Sequence, residues 1–299
     1  MRVIFAILLM FSAGVAAKTY QHELGTAEFS TPPKKVVSLD WVLTETLLTL
    51  DVAPQGIADV AGYREWVSVP VLPQNVVDIG SRREPNLELL AQIKPDVILM
   101  SQHLAPAYEK LSAIAPTLVY SVYSEKKAPY QEAEAMTRQL GALFDREAQA
   151  EQVIAATREK LAQNGQRLKA AGKASHPLLL VRFIGDKHLR IHGEGSLAVN
   201  TLTRMGLESG WHQDTNLWGF SSAGMEKLAP LQQASVVYFG PVDAKVQQAV
   251  FKTPLWRALA FSREQRVYEL PAIWSFGGLK AAERLSDQVT QLLLTGSQG

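Results

Sequence analysis

The chain has 299 residues, with 30 lysines and arginines against 29 aspartates and glutamates and a formal net charge of +1; it lacks the basic surplus that a nucleic-acid partner requires. It contains no cysteine, which excludes disulfides, thiol catalysis and a cysteine-linked lipid anchor. A chain of this length without cross-links depends on its packed interior, and it is long enough for one or two cores.

Met1-Arg2, the apolar run Val3 to Phe11 and the small residues up to Ala17 have the layout of a secretory signal peptide over 1–17, so the mature chain is expected to be soluble and to begin near Lys18. The apolar run is shorter than the roughly 20 residues that cross a bilayer. After a polar leader from Tyr20 to Lys35, β-branched runs alternate with stretches of helical period, the pattern of a parallel sheet covered by helices. Predicted strands cover Val36 to Leu39, Ile57 to Val60, Val76 to Ile79, Val97 to Met100 and Thr117 to Tyr120. Predicted helices cover Leu43 to Leu50, Leu87 to Ile93 and Tyr108 to Ile114. Tyr130 to Ala171 is rich in Ala, Glu, Gln, Lys and Arg, all strong helix formers. Gly141 is expected to divide it, and Asp145 to cap a second helix about 38 Å long, enough to bridge two lobes. Strand signals resume at Leu178 to Phe183, Leu189 to His192, Val236 to Phe239 and Val267 to Leu270, with helices over Ser196 to Met205 and Ala281 to Leu294. The expected architecture is therefore α/β, with two lobes built on mainly parallel sheets: 18–144, a bridging helix over 145–171, and 172–299.

The lobes echo each other. Asn86 to Leu99 aligns without gaps on Gly224 to Val237, sharing an apolar residue before Glu, then Leu-Ala and a buried strand; this pairs Glu88 with Glu226.

Six tryptophans are the most informative residues. Trp41 and Trp274 follow strands, while Trp66 and Trp218 lie in loop-like stretches. Ligands in open α/β sheets bind beyond the carboxyl ends of strands, and aromatic side chains there offer apolar area with a polar edge. Several Trp from both lobes point to a cleft, whereas Trp256, inside a helical stretch, is assigned to packing. Arg82 sits between a strand and a helix, where it can present a fork of donors to an oxygen-rich or anionic ligand. Enzyme signals are weak: Gly219-Phe220-Ser221-Ser222-Ala223 lacks the second glycine of a nucleophile elbow. His188 and His192 share a strand face without a third metal ligand and read as a solvated hairpin. No catalytic residue and no metal site is assigned.

The stretches Tyr63 to Ser68, Gly80 to Leu90, Thr215 to Gly219, Thr253 to Trp256 and Pro271 to Trp274 resemble the periplasmic ferric hydroxamate siderophore-binding proteins, within the helical-backbone binding proteins for iron chelates, haem and cobalamin. The resemblance runs from about Val36 to the C-terminus. It implies a monomer with two α/β lobes on one long helix, residence in the periplasm, and delivery of an intact iron(III)-hydroxamate siderophore to an inner-membrane ABC permease with its ATPase. No cofactor is implied, since the siderophore already fills the iron's coordination sphere. By matching positions, Arg82 would bond the hydroxamate oxygens and Trp218 and Trp274 the organic skeleton, with Trp66, Trp41, Asn216 and Trp211 lining the cleft. The family's second hydroxamate-contacting residue, a tyrosine, falls at Leu104, leaving His103 or Tyr108 to compensate. Glu88 and Glu226 match the acidic residues that dock such proteins on the permease. One Arg among several Trp suits a neutral ferric trihydroxamate better than a triply charged catecholate complex. Rival readings are a carrier of haem, cobalamin or another chelate, a direct metal binder, and a periplasmic hydrolase acting through Ser221.

Overall fold

The computed structural model describes residues 17–296; the expected signal peptide lies, apart from Ala17, outside the described residues. The chain opens on an antiparallel hairpin, β1 (Lys18–His22) and β2 (Gly25–Phe29). This replaces the expected polar leader. Its only apolar anchors on the central core are Tyr20, Ala27 and Phe29, too few for periodicity to reveal a strand pair.

The first sheet follows. β3 (Val36–Ser38) leads into α1 (Trp41–Thr49), whose N-cap Asp40 accepts from Val42 N at 3.1 Å. β4 (Gly56–Ile57), the short α2 (Val60–Gly62) and a π-helical turn over Tyr63–Val67 come next. Then β5 (Val77–Asp78), α3 (Leu87–Ile93), β6 (Val97–Met100), α4 (Tyr108–Ser112) and β7 (Thr117–Val119) complete this half. The strand order is β5-β4-β3-β6-β7, and every pairing is parallel. The strands of such a sheet are buried on both faces; β3 and β6 are buried at every residue.

Two long helices lead to the second sheet, α5 (Pro129–Leu143) and α6 (Glu147–Ala170). The sequence places the break at Gly141 and the cap at Asp145. The structure differs: Gly141 lies inside α5, where a Cβ would sit 2.7 Å from that of Ala150, so the glycine serves close packing. Asp145 takes a left-handed φ of 51° and pairs with Lys18 at 3.2 Å, while Arg146 occupies the N-cap position without a side-chain bond. The 24 residues of α6 extend about 36 Å. Ala150, Ile154, Thr157, Leu161, Asn164 and Leu168 form its buried stripe, the i, i+4, i+7 spacing of one helix face. Gly165 on that stripe meets the backbone of Met205, where a Cβ would lie 1.7 Å from the carbonyl oxygen; only glycine fits.

The second half contains β8 (Leu178–Ile184), β9 (His188–His192), α7 (Leu197–Arg204), β10 (Phe220–Gly224) and β11 (Ser235–Phe239). The helices α8 (Ala244–Phe251), α9 (Pro254–Ala258) and α10 (Ala260–Arg263), the strand β12 (Val267–Leu270) and the closing α11 (Leu279–Thr295) finish it. The strand order is β10-β9-β8-β11-β12, parallel among β8, β11 and β12 but antiparallel across β8-β9 and β9-β10. This sheet is mixed rather than mainly parallel. Three residues join β8 to β9, a connection that permits only an antiparallel return. The internal repeat survives unevenly: its second helix is a single 3₁₀ turn over Met225–Leu228, followed closely by Pro230, which has no backbone N–H to extend a helical ladder.

One continuous core runs from Val36, Leu43 and Leu118 through Met136, Leu140, Ile154 and Leu161 to Leu180, Phe239, Leu285 and Val289. The faces of the two sheets turned away from it have cores of their own. α6 packs on α5, α7 and α11. No described helix is long and apolar enough to cross a membrane.

Candidate ligand-binding site

In the first sheet β4 and β6 flank β3 on opposite sides, so the winding reverses between β3 and β6, and the crevice outside such strand ends is where α/β proteins place ligands. A cavity of about 530 Å³ opens there. Asp40 follows β3, Ser101 and His103 follow β6, Tyr123 follows β7, and Arg82 and Arg83 follow β5. The opposite wall carries Arg190 from β9, Leu217, Trp218 and Phe220 at the start of β10, and Trp274 and Phe276 after β12.

Arg82 is fixed by aromatic rings. Its guanidinium carbon lies 3.7 Å from the ring centroid of Trp41 and 5.0 Å from that of Trp274, and Nε is 3.8 Å from Asp59 Oδ2. Such stacking contributes about 1 kcal/mol or more where water is partly excluded. Trp41 is itself anchored, its Nε1 donating to the carbonyls of Ala58 and Asp59 at 3.2 and 3.1 Å. Burial pulls the guanidinium below the usual arginine value, with Asp40 and Asp59 opposing; it stays charged, because an arginine in a protein does not deprotonate. Trp274 Nε1 is buried with no hydrogen-bond partner, which leaves a donor beside the cavity.

The polar end of the cavity joins Asp40, Ser101 and His103. Ser101 Oγ donates to Asp40 Oδ2 at 2.5 Å and lies 2.6 Å from His103 Nδ1, which is 3.4 Å from the same carboxylate. The hydroxyl proton is committed to the carboxylate, so this group is not wired as a nucleophile and base. The apolar end is a ring cluster: Trp218 stands 5.1 Å from Tyr123 and 5.8 Å from Phe276, and Phe276 is 5.3 Å from Trp274. Trp218 is 39% exposed, an open aromatic surface at the mouth.

The expected site residues divide into two groups. Arg82, Trp218, Trp274 and His103 line the cavity. Trp41 is buried behind Arg82, and Trp66 is half-buried in the same small core. Trp211 belongs to the core behind the second sheet, its Nε1 donating to Ser221 Oγ at 2.9 Å. Leu104 is likewise a core residue, and Tyr108 packs beside it on that core. Asn216 shapes its own loop, Oδ1 accepting from Trp218 N and Phe220 N at 3.0 and 3.2 Å. Trp256 packs as expected. Ser221 Oγ also donates to the Asp214 carbonyl at 2.6 Å, which uses its single proton on a backbone acceptor rather than on a histidine or acid. His188 is exposed but His192 is 1% exposed, so the strand is not a solvated hairpin face. Burial, with Arg182 and Arg190 alongside, pushes His192 down to about 3, which keeps it neutral.

Sequence reading misses Asp40, Ser101, Tyr123, Phe276 and Arg190 as cavity residues. The strand-end rule that selects Trp274 also points to Asp40, Ser101 and Tyr123, while Arg190 lies within a strand, beyond that rule. The expected charge of the cleft is corrected as well. Arg82 is not the single cation of the cleft, since Arg83 and Arg190 line it too. Among the described residues no cluster of three His, Asp or Glu side chains could hold a metal ion.

Glu88 lies in the first turn of α3, directly after β5, and Glu226 in the first turn of the 3₁₀ segment after β10. β5 and β10 are the outer strands of their sheets. Both acids are exposed.

Residues 36–273 match the model of a family described as periplasmic binding protein. The chain is 34% identical over 250 residues to the iron(3+)-hydroxamate-binding protein FhuD of Escherichia coli, covering 84% of this chain and 83% of that one. It is 24% identical to the Fe(3+) dicitrate-binding periplasmic protein FecB of the same organism, over 97% and 95% of the two chains. Among solved structures it resembles the Fe3+-Desferal-bound siderophore-binding protein FhuD of Vibrio cholerae, with a TM-score of 0.80 and 32% identity over 87% of this chain and 98% of that one. Matches of this extent, with the two-sheet architecture and a crevice at the strand ends, make the chain a member of the periplasmic binding protein family.

Proposed function

We propose that this protein is the substrate-binding component of an ABC importer, capturing ferric hydroxamate siderophores in the periplasm and handing them to an inner-membrane permease for iron uptake. The observation that carries this is Arg82, packed against the edge-on pair of Trp41 and Trp274 at a cavity whose other wall presents Trp218 and Phe276. Planar donors for oxygen and a broad aromatic wall for an organic skeleton suit a chelate that encloses its metal. The relatives named for iron(3+)-hydroxamate and for bound Fe3+-Desferal support the same ligand class. In this reading 1–17 is a cleaved signal peptide, 18–144 and 172–299 are the two lobes, and 145–171 joins them. The protein acts as a soluble monomer without cofactor, by binding rather than catalysis.

The test is quenching of tryptophan fluorescence by ferric hydroxamates, with a ferric catecholate, haem, cobalamin and free metal ions as controls. Saturable quenching by hydroxamates at micromolar concentration or below is expected. Quenching by haem or cobalamin alone replaces the ligand class, and an ester turned over by the protein but not by Ser221→Ala replaces the function.

Glu88 and Glu226 are proposed as the permease contacts, each a carboxylate placed after the outer strand of its sheet. Exposed ion pairs are each worth below about 1 kcal/mol, but two set far apart fix orientation. Glu88→Ala combined with Glu226→Ala is expected to leave siderophore affinity intact and to reduce uptake several-fold; normal uptake by the double variant removes the assignment.

A further inference from the structure

Arg182 on β8 and Arg190 on β9 stand directly opposite each other across an antiparallel pair, so their side chains leave the same face of the sheet. Leu180, Phe239 and the buried His192 share that face, and the first two belong to the core between the sheets; the face is therefore turned toward the first sheet, not toward solvent. Arg190 lines the cavity, with its guanidinium 4.8 Å from the ring centroid of Phe220. Arg182 reaches across to the ring of Trp66 at 5.5 Å and lies 5.4 Å from that of Phe239.

Among the described residues neither arginine has a carboxylate or hydrogen-bond partner; their recorded contacts are aromatic. Burial and the charge of Arg190 both pull Arg182 below its usual value. Like charges placed opposite in a sheet repel, and a half-buried guanidinium without a partner loses hydration that nothing replaces. Among the described residues the only charge acting on Arg182 is that of Arg190, and the acids beside Arg82 are engaged elsewhere. Asp40 is occupied by Val42 N and Ser101 Oγ, Asp59 by Gly62 N and Arg82, and His192 is neutral.

We propose that Arg190 on the second-sheet wall of the cavity, with Arg182 paired beside it behind that lining, forms an anion-accepting subsite, so that the ligand this protein prefers is a ferric siderophore carrying a carboxylate outside the iron's coordination sphere. This rests on the siderophore reading above and narrows it: Arg82 and the tryptophans hold the chelate, and the arginine pair selects its charge.

The test uses three ferric complexes of one linear trihydroxamate, with its terminal amine free, acetylated or succinylated, so that a single skeleton bears a cation, a neutral amide or a carboxylate. Affinities are measured by calorimetry at low and high salt. The succinylated complex is expected to bind about 10-fold tighter than the acetylated one, the worth of a charge-assisted hydrogen bond, and the free amine to bind weakest; high salt narrows the spread. Arg182→Gln with Arg190→Gln is expected to bring the succinylated-to-acetylated ratio near one and, by relieving the repulsion, to raise the melting temperature of the ligand-free protein. Should that variant not fold, the wild-type ratio and its salt dependence decide alone. Equal wild-type affinities for the acetylated and succinylated complexes overturn the subsite while leaving the siderophore reading in place. Failure of all three complexes to bind overturns both.

Discussion

Arg82→Ala is expected to weaken binding of a ferric hydroxamate by about 100-fold. Two hydrogen bonds from a charged donor contribute about 1.5 kcal/mol each at the low end, and each 1.4 kcal/mol is tenfold in affinity. The loss is of donors already in place, because the guanidinium rests against the rings of Trp41 and Trp274 and Asp59 flanks it. Arg82→Lys keeps the charge but loses the planar fork and the stacking, and an intermediate loss of about 10-fold is expected. Titration of tryptophan fluorescence with the ferric chelate reads both variants. Unchanged affinity in Arg82→Ala would reduce the residue to an ion-pair partner of Asp59.

The second large effect concerns stability. Glu45 on α1 is 2% exposed, and its Oε1 accepts from Gly278 N at 2.9 Å and Ala281 N at 3.2 Å at the start of α11. A carboxylate at a helix N-terminus satisfies backbone donors that have no partner within the helix. The approach depends on Gly277, where a Cβ would lie 2.8 Å from the carboxylate. This joint holds the segment that carries Trp274 and Phe276 into the cavity. Burial raises the carboxyl from 4.5 to about 7, against the backbone bonds from Ala281 and Gly278 and the charge of Arg284. The folded state therefore keeps a proton that the unfolded chain releases between those values, so stability falls as pH rises from about 4.5 to 7 and stays reduced above. A displacement of this size corresponds to about 3 kcal/mol. Glu45→Gln keeps an acceptor oxygen without the charge, and its melting temperature is expected to lose most of that pH dependence. At pH 5 Glu45→Ala leaves two buried N–H groups without an acceptor and is expected to cost about 3 kcal/mol. Thermal melts across this pH range check all three proteins, and parallel pH profiles for wild type and Glu45→Gln would sink the account.

Much of the architecture was legible because its signals are local. β-branched runs of strand length alternate with helical stretches, and β6, α3 and β12 fall where periodicity puts them. The stripe of α6 is read from residues three and four apart. Arg82 and Trp274 follow from a rule equally local, that loops after strands face the crevice, and Trp218 from its place in a loop-like stretch. The hairpin of β1 and β2 escaped because its stability comes from the core it rests on.

The sequence by itself determined the alternation of elements, the two sheets, the long helix between them and an arginine set among tryptophans at strand ends. The tertiary structure decided which way the side chains face. Alternation along a strand says that neighbours point to opposite sides, but not which side meets another layer. So Trp211, one of the expected cleft residues, is enclosed behind the second sheet, while Arg190, in the stretch expected to be a solvated hairpin face, and Arg182 opposite it are turned toward the first sheet. The direction is set by the long-range packing of α5, α6 and α11 against both sheets, and no local window of sequence contains it.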